Sequence, residues 1–220
     1  MSRKTDKSIL IIGLNRFGSS LSLELMNHGW EVLAVDIQSR RVQAHADALT
    51  HTVVGDATDE AVLHQIGASQ FARAVVAIGN HLEESILTTS LLVDSQVPSI
   101  WARATSRRHG RILEQLGAHH VVLPEHDMGE RVAHLVSGRI LDYVEIDEGF
   151  SLVKAAAPHK ILGRPLGRVG TRQEHGVTVV SVKQSGGSFV HATQETVLQE
   201  SDIIVVAGKT EDVDRFTKAG

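Results

Sequence analysis

Ser8-Ile9-Leu10-Ile11-Ile12-Gly13-Leu14-Asn15-Arg16-Phe17-Gly18 is the stretch that decides the fold. An unbroken apolar run passes directly into a turn bracketed by glycines, after which Leu21 and Leu25 repeat at helical spacing as far as Gly29. A strand that is apolar without alternation is buried on both faces, as in a parallel sheet covered by helices. Gly13 supplies the tight turn, and the free N–H groups at the start of the next helix form a place for phosphate. The next strand-like run, Glu31-Val32-Leu33-Ala34-Val35-Asp36, closes on an acid. An acid about 20 residues beyond the glycine turn accepts hydrogen bonds from the hydroxyls of a nucleotide ribose, and it disfavours a 2′-phosphate there.

The same rhythm continues outward from this unit. Further apolar runs begin near Thr52, Ala74, Ser99 and His120. Their spacing, about 20 to 25 residues, is that of one strand plus one helix with short loops. Helix punctuation falls between them: Thr58 is placed to cap a helix opening at Asp59-Glu60, Gly67 to end it, and Ile112, Leu113 and Leu116 line another that stops at Gly117. The expectation is an α/β chain with a Rossmann-like doubly wound parallel sheet, whose ligand lies at the carboxyl ends of the strands.

Pro124 suits the first turn of a following helix, and Met128, Val132, Leu135, Val136 and Ile140 continue one apolar face. That face reads equally as a last core helix or as one that packs on a second subunit. From about Asp147 the texture changes to short β-like pieces, Phe150 to Ala156, Val177 to Val182, Phe189 to Ala192 and Ile203 to Val206. These predict a small α+β domain. The expected organisation is a nucleotide-binding domain over 1–138, a linker over 139–147 and the small domain over 148–220.

Composition narrows the function. The 220 residues include 22 Lys+Arg against 26 Asp+Glu, a formal net charge of −4, which lacks the basic footprint that nucleic-acid binding needs. No apolar run approaches the ~20 residues of a membrane span, and the polar start of the chain leads straight into a strand rather than a signal peptide. A soluble, cytoplasmic protein is expected. The absence of cysteine removes thiol chemistry and cysteine metal sites, and the 13 histidines are scattered without His-Glu-x-x-His spacing.

Candidate site residues cluster at the predicted strand ends. Asn15 takes the place of the second glycine of the turn, where its side chain meets the phosphate, giving either altered affinity or a degenerate site. Arg16 beside it is within reach of a terminal phosphate, or is a solvated residue at the helix start. Asp56 and Ala57 close the third strand and either hold a base edge or cap the helix; Ile78, Gly79 and Asn80 close the fourth. Arg103 follows the fifth. Glu125 follows the sixth, close to where a phosphate-bound cation would lie, though an acid in a helix's first turn needs no other role.

Six stretches carry a family resemblance: Ile12 to Ser19, Glu31 to Ile37, Val53 to Asp59, Ala74 to Gly79, Ser99 to Ala104, and Leu116 to Ala133 with its Pro-Glu-x-Asp-Met-Gly run. Ile161-Leu162-Gly163, Gly176 and Leu198 to Ile203 extend it, although Ser201 stands where the family usually has glycine. The chain resembles the cytoplasmic RCK proteins, regulators of K⁺ conductance, of the KtrA/TrkA family. That resemblance implies an RCK N-terminal Rossmann domain followed by a small RCK C-terminal domain, in a non-enzymatic regulatory subunit of a potassium-uptake system. It implies homodimers, assembled into an octameric ring on an integral-membrane K⁺ transporter at the inner face of the membrane. It also implies binding of ATP/ADP or NAD(H). Gly13 to Gly18, Phe17 included, would hold the phosphates and Asp36 with Ile37 the ribose. Asp56, Ala57, Ile78 to Asn80, Arg103, Ala104, Thr105 and His109 would surround the rest, with Mg²⁺ or Ca²⁺ at Glu125.

Two other classes use the same fold. A nicotinamide-dependent oxidoreductase needs a proton donor, yet Tyr143 has Asp147 four residues on where a Tyr-x-x-x-Lys pair has lysine. A stand-alone nucleotide sensor would have a partner unrelated to transport.

Overall fold

A computed structural model of the chain describes residues 7–136 and 140–218. Six strands, β1 (Ser8–Ile12), β2 (Glu31–Asp36), β3 (His51–Val54), β4 (Arg73–Val76), β5 (Ser99–Arg103) and β6 (His120–Val122), form one parallel sheet. Their order is β3-β2-β1-β4-β5-β6. All six follow the predicted runs. β1 is central, and its period of two feeds two cores: Ile9 and Ile11 pack with Val32, Ala34 and Val42 on one face, Leu10 and Ile12 with Val76, Ile100 and Leu113 on the other.

The intervening helices are α1 (Arg16–Asn27), α2 (Ser39–His45), α3 (Glu60–Gln65), α4 (Leu82–Asp94) and α5 (Arg107–Leu116). Gly67 and Gly117 end α3 and α5 in the left-handed region as expected. Thr58 does not cap α3: Asp59 does, accepting the Ala61 N–H, while both the N–H and the hydroxyl of Thr58 donate to Asp56. A carboxylate two residues back captures the threonine before it can cap.

Because the order reverses between β1 and β4, the connections after these two strands diverge and leave a crevice at their carboxyl ends. That crevice is the place for a ligand.

A second compact unit begins at Asp127, within α6 (Pro124–Val136). The first unit therefore ends before the expected boundary at 138, a position outside the described residues. Past His126 the helix makes its contacts with this second unit: Arg131 bonds Asp142 at 2.6 Å, His134 stacks on Tyr143, and Leu135 packs on the local core. Nor does the helix reach Ile140. Ile140–Asp147, expected as a linker, is strand β7, paired with β8 (Phe150–Ala156); its apolar residues fit a helical repeat only until a neighbouring strand claims them. With β9 (Val177–Lys183), β10 (Phe189–His191) and β11 (Ile203–Lys209) they make an antiparallel sheet ordered β10-β9-β11-β8-β7. The C-terminal helix α7 (Thr210–Lys218) closes it with Val213 and Phe216. No helix among the described residues is long and apolar enough to cross a membrane.

Candidate nucleotide-binding cleft

The turn after β1 is built by close approach. Gly13 has φ +100°, and a Cβ there would sit 3.4 Å from the Ala77 and Ile78 backbone; a Cβ on Gly18 would collide with the Gly13 carbonyl. Gly18 is therefore required by space, and Gly13 by its backbone angle. Asn15 caps α1 from an extended conformation. Its Oδ1 accepts the N–H groups of Phe17 (3.0 Å) and Gly18 (3.1 Å), and its Nδ2 donates to the Ala77 carbonyl at 2.6 Å. Two donors of the helix N-terminus are thus satisfied from within the protein.

Asp36 ends β2 almost wholly buried. Its carboxylate accepts the Leu14 N–H at 2.7 Å and the Gln38 N–H at 2.8 Å, and Arg41 of α2 pairs with it at 3.3 Å. The acid is held facing the first turn.

One cleft of 740 Å³ gathers these groups, a size suited to a nucleotide. Gly13, Asn15, Arg16, Phe17, Asp36 and Ile37 line its first half, with Asp56 and Ala57 from the end of β3. Ile78, Gly79 and Asn80 from β4, Arg103 from β5 and Glu125 from α6 line the other. Arg103 packs against Gly79, where a Cβ would displace its guanidinium. It lies 5.8 Å from the centre of the Phe17 ring and hydrogen-bonds Glu125. For Glu125, partial desolvation works upward but is outweighed by that bond and the Arg103 charge, which hold its carboxyl below the usual range. The Arg103 Nε and the Thr88 hydroxyl, both belonging to lining residues, are buried without hydrogen-bond partners. Such orphaned atoms fit a site that a polar ligand completes.

Four expected residues do not line the cleft: Gly18, Ala104, Thr105 and His109. Gly18 is packed under the Gly13 carbonyl and Ala104 is core. His109 is buried in α5, its Nδ1 accepting the Thr105 N–H at 3.3 Å. Burial pushes this imidazole below its ordinary value. Conversely, Arg41, Gln38, Thr88, His81 and Glu84 line the cleft without a motif to announce them; of these, Arg41 follows Asp36 closely enough to be sought on the first turn of the next helix.

The model of the TrkA-N domain matches residues 9–124 and that of the TrkA-C domain residues 150–219. The chain belongs to the TrkA-N/TrkA-C family of potassium-uptake proteins. It is 38% identical to Ktr system potassium uptake protein C of Bacillus subtilis over 96% of both chains. To Ktr system potassium uptake protein A of the same organism it is 35% identical over the whole of both, and to protein A of Vibrio alginolyticus 31% over 92% and 93%. Among solved structures the GsuK RCK domain superposes with TM-score 0.66 at 20% identity, covering 100% of this chain and 48% of that one. The NAD-bound GsuK channel gives 0.66 at 19%, covering 98% and 40%. This family member thus spans less than half the length of those GsuK chains. The AMP-bound Kef C-terminal domain of Shewanella denitrificans gives 0.51 at 24%, over 60% of this chain and 82% of that one.

Tyr143, the one tyrosine, is buried in the C-terminal core and stacked on His134. Burial, above all, raises its hydroxyl above the ordinary phenol value. Among the described residues no group of three His, Asp or Glu side chains is gathered as a metal site.

Proposed function

We propose that this chain is the nucleotide-binding regulatory subunit of a potassium-uptake system, in which ATP/ADP or NAD(H) in the N-terminal cleft biases the gating of an integral-membrane K⁺ transporter. The observation that carries it is a cleft at the sheet's switch point with a glycine turn and a buried ribose acid, in a chain 31 to 38% identical over nearly its full length to Ktr potassium-uptake proteins. Arg16, at the first position of α1, and Arg103 supply positive charge for phosphates; Asp36 takes the ribose and Ile37 and Ala57 flank the base. Solved structures of the same fold hold NAD or AMP.

A cation, Mg²⁺ or Ca²⁺, fits Glu125 only together with the ligand. One carboxylate already paired with Arg103 does not fill a coordination shell of six or more oxygens, so nucleotide phosphates would supply several of them. The exposed apolar residues Met128, Val132 and Val136 on α6 support a homo-oligomer; we read it as a dimer within an octameric ring, as the family resemblance implies. Such a subunit works in the cytoplasm, at the membrane's inner face through its partner.

The test is a thermal-shift titration of the full chain with ATP, ADP and NADH. A ligand that binds only the native state stabilises it by RT ln(1 + [L]/Kd), about 2.7 kcal/mol at a hundredfold excess over Kd. Stabilisation by at least one of these, and co-purification with a K⁺ transporter in membranes, are the expected results. A flat response to all three argues against the reading.

A further inference from the structure

The ribose acid is nearly saturated before any ligand arrives. Asp36 is 4% exposed. Its Oδ2 accepts both the Leu14 N–H and Arg41 Nη1, and its Oδ1 accepts the Gln38 N–H. A carboxylate has about four acceptor positions, two on each oxygen, so one position remains, on Oδ1. One ribose hydroxyl can therefore bind without disturbance, whereas a second would have to displace Arg41.

Arg41 is differently placed. Its side chain is 41% exposed, lines the cleft, and meets Asp36 through Nη1, at one prong of a fork that carries five donors. The remaining prong can hold an anion while the bond to Asp36 persists. An acid at the end of the second strand normally excludes a 2′-phosphate, and an arginine nearby accommodates one. Here both are present, and the pairing offsets the charge that would do the excluding.

We propose that Arg41 is a specificity-determining residue of the cleft: by pairing with Asp36 and presenting its guanidinium at the rim, it admits adenine dinucleotides carrying a ribose 2′-phosphate as well as those with a free hydroxyl. The 3′-hydroxyl takes the open position on Oδ1, and the 2′-phosphate lies against the outer edge of Arg41. This rests on the nucleotide reading above. A purely structural role would look different, because a half-exposed ion pair contributes little to stability and would affect both ligands alike.

The test is a fluorescence titration of the full chain with NADH and NADPH, which differ only in the 2′-phosphate, in wild type, Arg41→Ala and Arg41→Lys. Wild type is expected to bind NADPH within about tenfold of NADH, and Arg41→Ala to shift the ratio against NADPH by about tenfold or more, as fits the loss of a charge-assisted hydrogen bond. Arg41→Lys should fall between, since an ammonium keeps the charge without the fork. Discrimination above tenfold in wild type, or an unchanged ratio in Arg41→Ala, overturns the proposal. If wild type binds neither dinucleotide yet is stabilised by ATP or ADP, this proposal fails and the nucleotide reading stands; if none of the nucleotides binds, both fail.

Discussion

Asn15 occupies the position of the turn where backbone and pyrophosphate approach most closely, and its side chain is engaged with the protein at three atoms: the Phe17 and Gly18 nitrogens and the Ala77 oxygen. Asn15→Gly removes the cap, a loss of a few tenths of a kcal/mol for this exchange, and the tie to Ala77, about 1 kcal/mol. It also frees two N–H groups at the helix N-terminus. We therefore expect the variant to unfold at lower urea, by about 1 to 1.5 kcal/mol, while binding nucleotide more tightly in calorimetry. Weaker binding would mean that Asn15 contacts the ligand directly. Asp36→Asn tests the other end of the turn. Loss of a charged acceptor should weaken nucleotide binding by about 1.5 to 3 kcal/mol. An amide also turns its NH₂ toward one of the two backbone donors, so the folded state should lose stability even without ligand, which a urea titration would register.

At the scale of the element, α5 couples its cap to a buried histidine. Ser106 accepts the His109 N–H at 3.1 Å, and the ring sits inside with Nε2 lacking a hydrogen-bond partner. The Thr105 N–H donates to Nδ1, which places the ring proton on Nε2. Burial lowers the folded pKa below the ordinary 6.5. Between those two values the unfolded chain binds more protons than the folded one, so this contribution is fully present above about pH 6.5 and is lost as pH falls toward the folded value. His109→Asn keeps a side-chain acceptor for Thr105. It should flatten the fall of stability as pH drops below about 6.5, by at most about 1.4 kcal/mol per pH unit, the limit for one proton, in urea titrations. An unchanged slope would show that other groups dominate acid sensitivity.

For the whole molecule, each compact unit owns a core. In the C-terminal unit Phe216 is 1% exposed, shares one core cluster with Val177, Ile204 and Val213, and has the Lys160 ammonium 5.0 Å from its ring centre. Phe216→Ala should destabilise this unit by about 3 to 5 kcal/mol, because truncation leaves a cavity as well as losing transfer energy. Hydrogen exchange read at the amides of β8 and β11 is the measurement. Protection equal to wild type there would show that α7 is dispensable to the sheet.

The parallel sheet was legible in the sequence because burial on both faces demands uninterrupted apolar runs, and no other element of that length and spacing does. The glycine turn and Asp36 were legible for a local reason: Gly13 needs its backbone angle, and the acid stands at the strand end by simple count. Five decisions belonged to the tertiary structure alone. Ile140–Asp147 became a strand because β8 pairs with it, although its apolar spacing continues that of α6. His109 turned inward, and Ala104 and Thr105 with it stayed out of the cleft. Arg103 met Glu125 across 22 residues of sequence. Arg41 settled on Asp36, and Asn15 on Ala77. Each depends on where a side chain ends after two elements have packed, and hydrogen-bond geometry over a few ångströms is not encoded by the period or composition of either element.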